Sequence, residues 1–148
     1  MSMALEGCSA HQGNVFIVAD DNSDRQKLEN SVRKHGFEVN CVSSHSRVLA
    51  IVQQSRPDVV LVDQEHAKTS GFQLCRDLKN HSHTRDIPVV FAAPQADAQD
   101  YSEGFRSGGV AVLLKPLNPA ELLTQLETHV ALSRSHRGSA GPEKSVEI

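Results

Sequence analysis

Five short strand-like runs recur along the chain, each followed by a stretch with helical spacing. They are NVFIVA (14–19), FEVNCV (37–42), VVLV (59–62), VVFAA (89–93) and VAVLL (110–114). FEVNCV alternates, while the other runs are apolar but for Asn14, the pattern of strands buried on both faces. Between them lie helical faces. Leu28 and Val32 sit at i, i+4, with Asn22 or Ser23 as the cap and Gly36 as the stop. Val48, Leu49 and Val52 form a second face. Phe72, Leu74, Cys75 and Leu78 mark a third helix over 71–78. Tyr101 and Phe105 mark a weak fourth helix, loosened by Gly104. Leu122, Leu123, Leu126 and Val130 form a single stripe after Pro119, a residue suited to a first helical turn. Strict alternation of this kind predicts an α/β fold, a parallel five-stranded sheet covered by helices on both faces.

The 148 residues fit one domain with a sizeable core. Aromatic content of 4% with no Trp argues against base-stacking platforms. A net charge of −3 and a pI near 6.2 argue against a nucleic-acid or anionic-membrane surface. No apolar run approaches the roughly 18 residues of a membrane span. Residues 1–13 lack the basic and apolar regions of a signal peptide and read as a flexible N-terminal segment. Beyond Ser133 the composition shifts to Ser, Arg, Gly, Pro and Lys. That shift predicts a flexible tail or the start of a linker over 134–148, and leaves 14–133 as the domain. Cys8, Cys41 and Cys75 show no CxxC spacing, which suits free thiols and a cytoplasmic location.

In an open α/β sheet the functional crevice lies outside the carboxyl ends of the strands, where strand order reverses. The residues leaving those ends are therefore informative. The first strand ends in Asp20-Asp21, the third in Asp63, the fourth in Ala93-Pro94 and the fifth in Lys115-Pro116. Three carboxylates at one sheet edge repel and raise one another's pKa unless a cation is present. A hard divalent ion with oxygen ligands, Mg²⁺ above all, resolves this, and Lys115 adds a compact positive charge. A carboxylate nucleophile, a magnesium ion and a lysine are the parts needed to receive a phosphoryl group.

These residues resemble the receiver domains of bacterial two-component response regulators. The resemblance rests on VADDN (18–22), PDVVLVD (57–63) with Gly71 eight residues on, and LKP (114–116). It implies a flavodoxin-like (βα)5 fold with strand order 2-1-3-4-5. It also implies that Asp63 is the phospho-acceptor. Asp21, Asp63 and the backbone carbonyl of Glu65 would bind Mg²⁺ directly, Asp20 would act through water, and Lys115 would contact the phosphoryl group. The Lys115-Pro116 bond is often cis in such domains. The implied partners are a sensor histidine kinase or a histidine phosphotransfer protein, together with an output domain or effector. Dimerisation through the fourth and fifth elements is common in the family. Such a domain is no enzyme beyond Mg²⁺-assisted self-phosphorylation and autodephosphorylation.

The chain departs from the family pattern in its switch residues. Receivers place Ser or Thr at the end of strand four, where this chain has Ala93, and no Ser or Thr occurs between Thr84 and Ser102. The usual aromatic on strand five is Val112, and the usual Met-Pro pair is His66-Ala67. Glu65 and Gln95 hold the positions that flank the route of hydrolytic water in the family. The alternative reading is a pseudo-receiver, an interaction module not phosphorylated in use. An aspartate-nucleophile phosphatase of the haloacid-dehalogenase kind needs Asp-x-Asp, whereas Asp20-Asp21-Asn22 has its second acid at the wrong spacing. His81-Ser82-His83 lies in the loop before strand four and reads as a solvated loop. Neither GxxxxGK[ST] nor GxGxxG is present, which removes nucleotide-binding readings.

Overall fold

A computed structural model describes residues 13–19, 23–42, 45–63, 68–93 and 98–138. Strands β1 (Gly13–Val18), β2 (Phe37–Val42), β3 (Val59–Asp63), β4 (Val89–Ala93) and β5 (Ala111–Leu114) alternate with helices. Those helices are α1 (Ser23–Lys34), α2 (His45–Ser55), α3 (Lys68–Lys79), α4 (Ala98–Arg106) and α5 (Pro119–Gly138). All strand pairs are parallel, in the order β2-β1-β3-β4-β5. The flavodoxin-like order implied by the resemblance is the one observed.

The period of two along each strand sends alternate residues to opposite faces. Val15, Ile17, Val59 and Leu61 pack with Leu28 and Val32 of α1 and with Leu122, Leu123, Leu126 and Val130 of α5. Phe16, Val18, Val60 and Val62 pack instead with Val48 and Val52 of α2 and with Phe72, Cys75 and Leu78 of α3. Val59 to Val62 are wholly buried, so β3 is the sheet's dry centre. Gly36 ends α1 with φ +96°, a left-handed conformation that costs glycine little.

Two details differ from the sequence reading. Phe105, read as part of an apolar face, is exposed, and Gly104, read as a weakness, is buried. The reason is distance. A Cβ on Gly104 would stand 2.7 Å from Val112 Cγ2, so α4 lies on the sheet by its backbone and turns Phe105 outward. The last helix also continues past Ser133 to Gly138. Arg134 in that extension is anchored, its Nε donating to Asp58 Oδ2 at 3.2 Å.

On α1, Glu29 gathers Arg25 at 3.3 Å, Arg33 at 3.1 Å and the Cys41 thiol of β2, which donates at 2.8 Å. The Cys41 thiol and these guanidinium groups hold the Glu29 carboxyl below the usual range. Burial, then the bond to Glu29, push Cys41 up to about 12. A thiol held protonated is a poor nucleophile. At pH 8 the lost thiolate, partly offset by its greater intrinsic reactivity, should slow alkylation of Cys41 about 30- to 100-fold relative to free cysteine. Timed iodoacetamide labelling with peptide mass analysis measures this. Burial and this bond together make folding favour the protonated thiol: the stabilisation is present below pH 9.0 while Glu29 is ionised, and drains away as pH rises toward about 12.

Candidate functional site

The sheet order reverses at β1, whose chain proceeds to β2 on one side while β3 pairs on the other. Val18 pairs with Val62, so β1 and β3 reach the carboxyl edge side by side and at the same level. Asp63 is the last residue of β3, and its side chain retains 10% exposure after four fully buried residues. It is therefore fixed by the core and still reachable from solvent. Ala19 closes β1, its N–H donating to the Val42 carbonyl at 3.1 Å. Asp20 and Asp21 follow directly in the sequence. They lie outside the described residues, as do Glu65, His66 and Gln95.

Lys115 arrives from the far side. It follows β5, and its N–H donates to the Ala93 carbonyl at 2.7 Å, which extends the β4–β5 ladder past Leu114. The Lys115-Pro116 peptide is cis. Asn118 then caps α5, its Oδ1 accepting from the N–H groups of Ala120 at 2.9 Å and Glu121 at 3.1 Å. The lysine is thus held from both sides along the chain.

From this anchorage Nζ donates to both oxygens of Asp63, each at 2.9 Å. β4 lies between the two strands, so the lysine and the aspartate together bridge two strand spacings, about 9.6 Å. Ala93 at the end of β4 is a buried, small residue. Both partners are largely shielded, with side-chain exposures of 17% for Lys115 and 10% for Asp63. Screening is weak there, and distances near 2.9 Å mark a charge-assisted hydrogen bond rather than a loose surface pair. Such an edge can bind an anion that displaces the carboxylate from the ammonium, or offer the carboxylate as a nucleophile with a cation already beside it.

Of the residues singled out in the sequence, Asp63, Lys115, Ala93 and Val112 fall among those described. Ala93 is buried next to the lysine and offers no hydroxyl; Val112 is half-buried under α4 and offers no aromatic ring. His81, Ser82 and His83 are exposed. No metal-ligating group of three or more His, Cys, Asp or Glu forms among the described residues. None of the described helices is long and apolar enough to cross a membrane. One residue was missed entirely. Asp58, immediately before β3, is 1% exposed and binds Arg134 and the Asn14 N–H at the opposite edge of the sheet.

Known proteins share this fold. Residues 15–127 match the response regulator receiver domain. The DNA-binding response regulator MtrA of Mycolicibacterium smegmatis is 29% identical over 116 residues, 78% of this chain and 50% of that protein. The chain thus spans about half the length of that curated relative. Among solved structures, Vibrio cholerae chemotaxis protein CheY4 superposes with a TM-score of 0.71 at 27% identity, covering 78% of this chain and 96% of that one. The receiver domain of sensor histidine kinase PA1611 from Pseudomonas aeruginosa shares the fold, with a TM-score of 0.72 at 21% identity over 80% of this chain and 98% of its own. In that protein a magnesium ion is coordinated in the active site cleft.

Proposed function

The chain belongs to the response regulator receiver domain family, and from that premise we propose that it accepts a phosphoryl group on Asp63 from a histidine kinase or phosphotransfer protein. The observation that carries the reading is the Lys115 ammonium bonded to both oxygens of Asp63 at the carboxyl edge of β3. In the reaction a carboxylate oxygen of Asp63 attacks the phosphorus of the donor. An acyl phosphate bond forms, the donor's bond to phosphorus breaks, and the electron pair leaves with the donor. Negative charge moves from the carboxylate to the phosphoryl oxygens, and Lys115 can follow it because its flexible stem carries three donors.

Asp63 supplies the kind of hard, shielded oxygen donor that a divalent ion takes. Asp21 and the backbone carbonyl of Glu65 would complete a direct ligand set for Mg²⁺, with Asp20 acting through water. When bound, Mg²⁺ neutralises charge on the transferred group's oxygens. No other residue of the reading depends on it.

Ala93 sets the character of the output. A hydroxyl bonded to a charged oxygen is worth about 1.5–3 kcal/mol, and a methyl group provides none of that. A ligand shifts a conformational equilibrium only by its differential affinity, so coupling between Asp63 and the rest of the domain is weak in this chain. This also favours the second reading, an interaction module whose site is not used.

Incubation with acetyl phosphate and Mg²⁺ followed by intact-mass measurement tests the proposal. The expected result is the mass of one added phosphoryl group on the wild type and none on Asp63→Asn. An unmodified wild type, or an adduct that survives in Asp63→Asn, sinks the assignment.

A further inference from the structure

An aromatic side chain on β4 lies beneath α4 at Gly104. Phe91 is wholly buried and pairs across the ladder with Val112. Its ring meets Phe72 of α3 edge to face, with centroids 5.2 Å apart at 64°. Two glycines clear the space the ring occupies. A Cβ on Gly104 would lie 3.5 Å from Phe91 Cδ2 and 2.7 Å from Val112 Cγ2. A Cβ on Gly109 would lie 2.6 Å from Phe91 Cε2. Large and small residues thus interlock, and α4 rests on the ring and on Val112 by its own backbone.

Polar contacts close the same block. The Gly104 carbonyl accepts from Ser107 Oγ at 2.8 Å and from the Gly109 N–H at 2.9 Å, which ties the end of α4 to the turn before β5. Arg76 of α3 pairs with Glu103 of α4. Helices α3 and α4 and strands β4 and β5 are therefore joined through one packed unit. Ala93 lies two residues beyond Phe91 on the same face of β4 and presents only a methyl group toward the acceptor edge.

We propose that Phe91 clamps α4 and β5 as a fixed face, so that the state of Asp63 is readable only at the carboxyl edge of the sheet. The proposal rests on the receiver reading for what occupies Asp63, but the clamp itself does not. Close-packed interiors move between discrete arrangements rather than deform gradually, and here a single added methyl at Gly104 or Gly109 would collide with Val112 or Phe91. The solvent-facing residues of that face, Phe105, Val110 and Leu114, then look the same to a partner in both states. A partner that distinguishes the states must touch the phosphoryl-bearing edge itself.

Nuclear magnetic resonance on the full chain tests both parts. Without phosphodonor, relaxation dispersion at the methyl groups of Val110, Val112, Leu113 and Leu114 should be flat in the wild type. It should rise in Phe91→Leu, which frees space, and in Gly104→Ala, which forces α4 outward. Dispersion already present in the wild type, or absent from both variants, overturns the clamp. With beryllofluoride and Mg²⁺, amide shifts should be large beside Asp63. Across α4 and β5 they should not exceed those at Asn14, Val59 and Val89, at the opposite sheet edge. Shifts in α4 and β5 as large as those at the acceptor overturn the fixed face. No shift anywhere counts against the reading of Asp63, and the dispersion measurement still decides the clamp.

Discussion

Replacing Lys115 by methionine should slow phosphoryl uptake at Asp63 by about 10²–10³-fold, the range seen when one positioned donor is removed from a site of developing charge. Two effects oppose one another here. In the resting state the ammonium holds both carboxylate oxygens at 2.9 Å, which stabilises the nucleophile and dulls it. During transfer the charge passes to the phosphoryl oxygens, and the ammonium is then the cation already in place. The second effect wins, because the carboxylate keeps one oxygen in bonding to phosphorus and surrenders its charge, while the transferred group gains a full anionic edge. Methionine keeps an unbranched apolar stem of similar length and removes the charge. Arginine should not rescue, since a planar guanidinium is bulkier than the ammonium and cannot occupy the same point between the two oxygens. Time courses of intact mass with acetyl phosphate measure the rate, with Asp63→Asn as the zero. A rate within threefold of wild type would remove Lys115 from the reaction.

The two ends of this pair are 52 residues apart, yet both were legible in the sequence. They were legible because each sits at a strand terminus, and a parallel sheet brings every carboxyl terminus to one edge. The fold was legible for a related reason. The runs Val59–Val62 and the stripe Leu122, Leu123, Leu126 and Val130 carry the periods of a doubly buried strand and of a helix packed on one side, and all are buried. Periodicity failed in α4. It takes apolar side chains as the mark of the buried side, and there the buried side is set by how closely a glycine backbone can approach Val112 and Phe91. The bond from Cys41 to Glu29 and the pairing of Asp58 with Arg134 left no trace either. Neither involves a period or a strand's carboxyl end; each depends on which side chains meet once helices have docked.

Replacing Asp58 by alanine should cost about 1–3 kcal/mol of stability, the penalty for a shielded backbone N–H left without its acceptor. Its Oδ2 accepts from the Asn14 N–H at 2.8 Å and from Arg134 Nε at 3.2 Å, with Arg134 Nη2 also at 3.2 Å. Asp58 is 1% exposed and Arg134 43%, so the cost comes mainly from the shielded side: a backbone N–H loses its acceptor, while the guanidinium can turn to water. Asparagine keeps an acceptor for Asn14 and gives up the charge, and should cost about half as much. Urea unfolding should show a lower midpoint with an unchanged slope, and hydrogen exchange should show lost protection after Ala131, where α5 runs beyond the core. Phosphoryl uptake by the folded protein should be unchanged. β3 carries a carboxylate at each end, and the two differ in exposure: Asp58 is sealed and fastens a helix, whereas Asp63 is held as firmly by the same dry strand but keeps 10% of its side chain open to solvent. A variant of Asp58 that altered the rate at Asp63 would mean the strand transmits between its ends. Four fully buried residues, three of them paired on both sides, argue that it does not.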